Sequence, residues 1–310
     1  MKRTTLTAGT RGSKLALIQT RTVTDAIRAV APALEIETRI ITTEGDRNQR
    51  DSLTKLGGRG VFVGEIEREL RAGTIDFAVH SLKDLPASQP DGLLLVAVLP
   101  RGDARDALVS RNNVGLQQLP QGARVGSSSE RRSAQLRALR SGLDHRNIRG
   151  NVDTRIRKLD NSEYDAIVLA AAGLERLGLR DRITSHFSPD EMLPSVGQGA
   201  LVIECRADDK AAIDLLRPLD HAETRAAVEA ERAFLRTFGA GCSLPVGGYA
   251  TLSGDILRVE GLIANPEGTR IIRDHASGPA RDAEALGRTL GEKVLQSGGR
   301  ELLKAAKPRG

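Results

Sequence analysis

The alternation of predicted strands and helices over the first two-thirds of the chain is the feature that most limits its fold. Short segments of strand character, such as Leu6–Thr10, Asp76–Ser81 and Leu93–Leu99, are separated by stretches of helical periodicity such as Ser13–Ala31. A similar order of elements restarts near Arg124. Such alternation predicts parallel or mixed sheets covered by helices on both faces, with ligands bound at the carboxyl ends of strands.

The segment that follows Pro194 departs from this alternation. It reads VGQGALVIECRA, a glycine-rich turn that leads into an apolar strand without an obvious helix before it. We expect this strand to return to the first sheet, which would give two lobes joined by crossing segments. From Val246 onward, three strands separated by turn signals and a long helix starting at Ala280 predict a small C-terminal α+β domain.

The formal net charge of +6 is concentrated in one segment. Residues Gly122–Arg157 hold nine arginines and three acidic residues, so this segment carries the whole excess and the rest of the chain is balanced. Guanidinium groups bind carboxylates or phosphates through paired hydrogen bonds, so the cluster indicates an anion site. The balanced remainder and the 2% aromatic content argue against a nucleic-acid binder.

Other classes are disfavoured by what the chain lacks. Its longest apolar runs, Leu93–Leu99 and Ala166–Leu174, are far shorter than the ~20 residues of a membrane span. The N-terminus has no apolar stretch of the kind found in secretory signals. Two cysteines make no disulfide framework, which indicates a reducing, cytoplasmic setting. The five histidines are scattered, so we expect no metal site.

Polar side chains mark four junctions between predicted elements. The segments are Gly9–Ser13, Val79–Pro86, Gly126–Arg132 and Gly239–Pro245. The first suits an anion at a helix N-terminus, but this segment alone favours a plain N-cap by Ser13 with a surface arginine. In the second segment, Ser81, Lys83 and Asp84 follow a strand, which is a common placement of catalytic groups. A solvated loop with a Lys–Asp ion pair is the structural alternative. His80 has the features of a structural histidine, so Asp84 is the better catalytic candidate.

The third segment combines three hydroxyl groups and two arginines at a predicted helix start. All of these groups donate hydrogen bonds, so the segment suits an anion rich in acceptors. A serine-rich cap is the structural alternative, but two arginines in the first turn oppose the helix dipole, which favours a binding role. Arg149 and Arg155 extend the same basic patch.

The fourth segment places Cys242 in a glycine-rich loop. An accessible cysteine in a reducing compartment is often a nucleophile or an attachment point, whereas most free cysteines are buried and inert. Cys205 lies inside the apolar run Leu201–Cys205 and has the features of a core residue. The residues alone leave both interpretations of Cys242 open.

Five motifs occur in the order VHSLKDLP, VGSSSERR, RGNVDTR, VGQGA and GAGCSLPVG. In these motifs and their separations the chain resembles the hydroxymethylbilane synthases, or porphobilinogen deaminases, from Arg11 to the C-terminal domain. The resemblance implies an α/β fold with two doubly wound, binding-protein-like lobes with mixed sheets and a C-terminal α+β domain. The corresponding ranges are 1–99 with 200–217 for lobe 1, 105–193 for lobe 2 and 222–310 for the C-terminal domain.

The resemblance also implies an activity. Family members are transferases of tetrapyrrole (heme-type) biosynthesis that join four porphobilinogen molecules head to tail into hydroxymethylbilane and release ammonia. The primer is a dipyrromethane cofactor held by a thioether to a cysteine that matches Cys242. The matching catalytic aspartate is Asp84, which is expected to assist the loss of ammonia and to stabilise the cation left behind. The resemblance also suggests a monomer, while the cytoplasmic setting and the lack of a metal, nucleic-acid or membrane partner are expected from the residues themselves.

A further set of positions matches the family's cofactor and substrate contacts and supplies cations, hydroxyls and an amide. They are Arg11, Ser13, Lys55, Arg59, Ser81, Lys83, Ser127, Ser128, Ser129, Arg131, Arg132, Arg149, Arg155, Arg176 and Gln198. Each porphobilinogen carries two carboxylates, which would explain the arginine cluster. Arg59 stands where others have Lys, and Glu130 stands where an apolar residue is frequent. The alternative is a non-enzymatic two-lobed anion-binding protein, against which the Cys242 loop argues.

Overall fold

The computed structural model describes residues 4–43, 63–239 and 245–306. Three predicted site residues, Lys55, Arg59 and Cys242, lie outside the described residues. The chain divides into two compact units. The first unit comprises Met1–Gly102 with Ala200–Arg225, and the second comprises Asp103–Gly199 with Ala226–Gly310.

The described strands and helices follow one another in mixed order along the chain. The strands are β1 (Thr5–Thr10), β2 (Glu35–Ile40), β3 (Phe77–Ser81), β4 (Leu93–Val98), β5 (Asp106–Ser110), β6 (Arg124–Gly126), β7 (Asp144–Arg146), β8 (Ala166–Ala170), β9 (Ser185–His186), β10 (Leu201–Arg206), β11 (Val246–Ser253), β12 (Ile256–Ala264) and β13 (Ile271–Pro279). The α-helices are α1 (Lys14–Val30), α2 (Gly64–Arg71), α3 (Glu130–Leu139), α4 (Val152–Asp160), α5 (Ala171–Arg176), α6 (Lys210–Leu216), α7 (Ala222–Arg236), α8 (Ala283–Val294) and α9 (Arg300–Ala306).

The first unit is built on a mixed five-stranded sheet with the order β2-β1-β3-β10-β4. β1 is parallel to β2 and β3, whereas β10 is antiparallel to β3 and β4. The strand after the VGQGA turn therefore returns to the first sheet, as the sequence predicted. Its apolar residues, including Ile203 and Cys205, pack with Val23 and Ile27 of α1 in one core.

The second unit contains a mixed sheet of the same pattern, with the order β7-β6-β8-β5-β9. Alternate residues of β5 enter two different cores: Ala107 and Val109 lie in one, and Leu108 lies in the other. Both faces of the sheet are thus covered, as expected for a doubly wound fold. The sequence analysis did not predict β5, β7 or β9, because these strands are short and β5 begins with an acidic residue.

The second unit also contains the antiparallel sheet β11-β12-β13, on which α8 packs. Phe234 of α7 lies against this sheet so closely that a Cβ at Gly261 would come within 2.3 Å of its ring. The structure thus has the mixed α/β class that was expected, with a separate antiparallel sheet near the C-terminus. The division into three domains stays a prediction. The short helix α9 was not predicted.

Within the described ranges, no helix is both long enough and apolar enough to cross a membrane.

Arg124 and Asp165 form an ion pair at the edge of the second sheet where β6 and β8 begin. One carboxylate oxygen of Asp165 accepts hydrogen bonds from the backbone N–H (2.9 Å) and Nε (3.0 Å) of Arg124. The other accepts from Nη2 of Arg124 at 2.9 Å. These hydrogen bonds lower the pKa of Asp165 from 3.8 to about 2.

We expect Asp165→Asn to lower the free energy of unfolding at pH 7 by up to about 1 kcal/mol, since the pair is partly solvated and screened. The pKa of Asp165 is lower in the folded state than in the unfolded state. Its contribution is therefore present above about pH 4 and is lost as the pH falls towards 2. Urea unfolding of both proteins at pH 7 and pH 3 measures this, and an equal difference at both pH values would contradict the assignment.

Candidate functional site

One group of predicted site residues lies at one edge of the first sheet. β1 and β3 are adjacent and parallel, so the residues that follow them emerge at the same edge. Arg11 and Ser13 follow β1, while Ser81 ends β3 and is followed by Lys83 and Asp84. The structure therefore places these five residues at the carboxyl ends of neighbouring strands, as expected from the sequence.

Ser13 caps the N-terminus of α1. Its backbone is extended and its Oγ accepts a hydrogen bond from the backbone N–H of Ala16 at 3.3 Å. The N-cap interpretation of Ser13 is thereby confirmed, and a ligand contact by its hydroxyl stays a prediction. Arg11, two residues earlier, is half-buried.

The segment that carries Asp84 is anchored at several points. Ser81 Oγ accepts a hydrogen bond from Gln19 Nε2 at 2.9 Å, and the backbone N–H of Leu82 donates to the carbonyl of Ala200 at 3.0 Å. Residues Leu82–Asp84 form a single 3-10 turn whose apolar member, Leu82, is buried. The turn leaves the Asp84 side chain half-buried at the sheet edge.

His80 is paired inside the first unit. Its Nε2 lies 3.0 Å from Oε2 of Glu204, and both side chains are buried. The other carboxylate oxygen of Glu204 accepts a hydrogen bond from Gln89 Nε2. A buried carboxylate needs such partners, so the pair is structural, as predicted for His80.

The other predicted residues within the described ranges belong to the second unit. β6, β7 and β8 are parallel, so the segments that follow them emerge at one edge of the second sheet. Ser127, Ser128 and Ser129 follow β6, and Arg149 comes three residues after β7. Arg176 lies in the last turn of α5, which begins directly after β8.

The serine cluster forms a tight turn that starts α3. The backbone N–H of Ser127 donates to the carbonyl of Arg146 at 2.9 Å, and its Oγ accepts from the backbone N–H of Ser129 at 3.1 Å. Ser129 Oγ accepts from the backbone N–H of Arg132 at 3.4 Å and so caps α3. Ser128 stays half-buried, and Glu130 is exposed at the first turn, where a carboxylate favours the helix dipole.

Arg131 and Arg132 are buried on α3, with exposures of 5% and 6%. Both contact Asp106, whose exposure is 0%. Arg131 Nη1 donates to Oδ2 of Asp106 at 2.7 Å, and Arg132 Nε donates to Oδ1 at 2.8 Å. Gln198 Nε2 donates to the same Oδ1 at 2.9 Å. Although burial opposes it, the two arginines hold the pKa of Asp106 well below its ordinary value.

Asp106 is the residue that the sequence analysis missed. It opens the apolar strand β5, and an acidic residue at the start of a buried strand requires a cationic partner. The sequence therefore indicates that Asp106 has a cationic partner, but it does not identify which arginine or lysine that partner is.

Arg149, Arg155 and Arg176 complete the second group. Arg149 Nε is buried and has no hydrogen-bond partner among the residues that the structure describes. Arg155 Nε donates to the carbonyl of Gly150 at 2.8 Å, and Arg176 Nη2 donates to the carbonyl of Gly199 at 2.7 Å. Burial lowers the pKa of Arg176. Partly desolvated guanidinium groups are stabilised by an anionic ligand.

A family model described as porphobilinogen deaminase, dipyromethane cofactor binding domain, matches residues 6–214, and the C-terminal domain model of the same family matches residues 225–296. A porphobilinogen deaminase of Roseiflexus castenholzii is 50% identical over 97% of this chain and 99% of its own length. The chain belongs to the porphobilinogen deaminase family. The porphobilinogen deaminase of Chromobacterium violaceum is 48% identical over 96% of this chain and 97% of its own length.

Among solved structures, the crystal structure of the methionine-binding protein MetQ aligns with a TM-score of 0.45. The identity is 14%, and the alignment covers 70% of this chain and 89% of that chain.

The described residues fit a dipyrromethane cofactor of this family. The cofactor bears carboxylates, and the unpartnered buried Nε of Arg149 is a donor that lacks an acceptor. Cys205 does not suit the attachment, because it is fully buried in β10 and burial raises the pKa of its thiol to about 11. Among the residues described, no group of three His, Cys, Asp or Glu side chains is placed to hold a metal ion.

We expect Arg149→Gln and Arg132→Leu to differ in stability. Arg149→Gln removes an unpaired buried donor, so the free energy of unfolding should stay within about 0.5 kcal/mol of wild type. Arg132→Leu breaks a buried ion pair and should cost about 3–5 kcal/mol. Urea unfolding measures both values, and intact mass measures how much protein carries the cofactor. Arg149→Gln should also lower the fraction of protein that carries the cofactor, and an unchanged fraction would remove Arg149 from the binding residues.

Proposed function

We infer that the chain is a hydroxymethylbilane synthase. It joins four porphobilinogen molecules head to tail into hydroxymethylbilane, releases ammonia and extends a covalently bound dipyrromethane primer, a step of tetrapyrrole (heme-type) biosynthesis. The observation that carries this conclusion is the match of both family domains, one of which is a cofactor-binding domain, over nearly the whole chain. The match favours the enzyme over a non-enzymatic anion-binding protein.

Asp84 is the proposed catalytic residue. As ammonia leaves the aminomethyl carbon of porphobilinogen, positive charge develops there, and a nearby carboxylate stabilises it. The hydrogen bonds of Ser81 Oγ and of the Leu82 backbone hold the turn that carries Asp84. A carboxylate held in this way needs little rearrangement during the reaction, which favours catalysis by charge stabilisation.

The arginines and serines of the second unit are proposed to bind the carboxylates of the cofactor and of the growing chain. Each added porphobilinogen brings an acetate and a propionate, so the required number of hydrogen-bond donors increases with every unit. Arg149 supports this role with a buried Nε that has no partner among the described residues. The half-buried side chain of Ser128 adds a hydroxyl donor in the same unit.

The finer aspects of the proposal concern the attachment and the setting of the enzyme. Cys242 is the proposed thioether position, since the thiol of Cys205 is buried and its pKa is raised. We also propose a monomer that acts in the cytoplasm without nucleic-acid or membrane partners. The pairing of Arg124 with Asp165 supports the absence of nucleic acid, because part of the arginine cluster is already neutralised.

We expect the purified protein to carry a two-pyrrole adduct on Cys242. Intact-mass spectrometry of the wild type, Cys242→Ser and Cys205→Ala measures this. The adduct should be present in the wild type and in Cys205→Ala and missing from Cys242→Ser, because only a thiol forms the thioether. An unmodified mass in active, freshly prepared wild type would overturn the proposed function.

We expect Asp84→Asn to lower turnover of porphobilinogen by about 10²–10⁴-fold, as is usual when a catalytic acid or base is lost. The adduct on the protein should persist, because Asp84 is not its attachment point. Asp91→Asn, which removes an exposed carboxylate from the same unit, is the matched control and should keep wild-type turnover. Equal turnover in the two variants would remove Asp84 from catalysis.

A further inference from the structure

Asp106 is joined to three predicted binding residues of the second unit. Its Oδ2 accepts from Arg131 Nη1 at 2.7 Å, and its Oδ1 accepts from Arg132 Nε at 2.8 Å and from Gln198 Nε2 at 2.9 Å. Arg132 Nη2 also lies 2.7 Å from Oδ1. Three nitrogen atoms thus lie at Oδ1 and one lies at Oδ2, so the charge of the carboxylate is well surrounded by donors. Asp106 is fully buried, and it therefore acts on its neighbours rather than on a ligand.

The sheet register puts the carboxylate of Asp106 at the edge of the second sheet that carries the predicted binding residues. β5 is antiparallel to β8, and Asp106 at the start of β5 lies opposite Ala170 at the carboxyl end of β8. That edge is the one at which the serine cluster follows β6. Asp165 lies at the other edge, just before β8, where it binds Arg124. The two aspartates thus make similar arginine pairs at opposite ends of one sheet.

The two arginines use their donors differently. Arg132 donates Nε to Asp106, Nη1 to the carbonyl of Val168 at 3.1 Å and Nη2 to Gln198 Oε1 at 3.4 Å. Arg131 uses only Nη1, which Asp106 and the carbonyl of Leu193 share, both at 2.7 Å. Its Nε and Nη2 have no hydrogen-bond partner among the described residues. The network holds two cations and one carboxylate, so one positive charge remains.

We propose that Asp106 is a positioning residue of the binding site, which holds the guanidinium of Arg131 so that its Nε and Nη2 meet a carboxylate of the cofactor or substrate. In this arrangement the hydrogen bonds of Arg132 and Gln198 fix the position of the Asp106 carboxylate, and Arg131 makes the ligand contact. The proposal rests on the proposed function and adds to it a division of roles within the Arg131–Arg132 pair.

Replacing the carboxylate by an amide should disturb the network in a defined way. Asp106→Asn leaves the guanidinium groups of Arg131 and Arg132 next to each other without an anion between them. The amide nitrogen also adds a donor where the network needs an acceptor. We expect Arg131 to move away from its position, which weakens substrate binding more than it changes the chemistry at Asp84.

The test compares the wild type with Asp106→Asn, Arg131→Gln, the double variant and the control Asp165→Asn, all as full-length chains. Circular dichroism checks the fold, intact mass measures the adduct, and kcat and KM for porphobilinogen are determined on adduct-bearing protein. Asp106→Asn should lower kcat/KM by about 10–100-fold, mainly through KM, by analogy with the loss of a hydrogen-bond partner of a metal-binding side chain. Asp165→Asn should keep wild-type kinetics.

The double variant separates positioning from a purely structural role. If Asp106 acts through Arg131, Arg131→Gln should cost about 10-fold less in the Asp106→Asn background than in the wild type. The same cost in both backgrounds, or a folded Asp106→Asn protein with wild-type KM, would overturn the proposal. If Asp106→Asn does not fold, Asp106→Glu replaces it, because it keeps the charge but displaces the carboxylate.

The remaining outcomes also decide between the proposals. A folded Asp106→Glu protein with wild-type KM would overturn the positioning role, and a raised KM would support it. Failure of both variants to fold would overturn it as well, because Asp106 would then be a requirement for folding. A wild type without adduct or turnover would overturn the proposed function and the positioning role with it, whereas an active wild type with additive variants would overturn the positioning role alone.

Discussion

The buried contact between Asp106 and the arginines of α3 is the interaction on which the arrangement of the predicted binding residues in the second unit depends. A carboxylate without exposure to water is costly unless cations and hydrogen-bond donors surround it. Arg131 and Arg132 supply that charge, and they sit in the first turn of α3, where the helix dipole disfavours cations. The carboxylate therefore explains an arrangement that is unfavourable for the helix alone. It also joins α3 to β5 and, through Gln198, to the turn before β10.

Towards its C-terminal end, α3 contacts the turn between β12 and β13. Arg137 donates a hydrogen bond to the carbonyl of Pro266, and Gly268 lies so close that a Cβ there would come within 2.1 Å of the carbonyl of Ala134. The backbone of Gly268 is left-handed, with φ at +71°, which a glycine adopts without strain. The helix that carries the two arginines is thus positioned from both ends, and its position determines where Arg131 can present its donors.

Much of the architecture was predictable, because it depends on local periodicity. The alternation of the longer strands and helices, the return of β10 and the cap by Ser13 follow from patterns of a few residues each. The arginine cluster was also apparent in the sequence, but its net charge of +6 was calculated from the residues of Gly122–Arg157 alone. Asp106 and Asp165 lie outside that segment and neutralise Arg124 and part of the Arg131–Arg132 pair. A charge count along the chain cannot include partners that only folding brings close.

The sequence by itself determined the class of fold, the family motifs and the candidate residues, because hydrophobic periodicity and motif order are properties of the chain. Only the tertiary structure decided which of those residues share a sheet edge and which are already paired. Parallel strands bring the segments of Ser127 and Arg149 to one sheet edge, and an antiparallel strand brings Asp106 to the same edge. The physical reason is that hydrogen-bond register and charge burial act between segments far apart in sequence, so no local pattern encodes them.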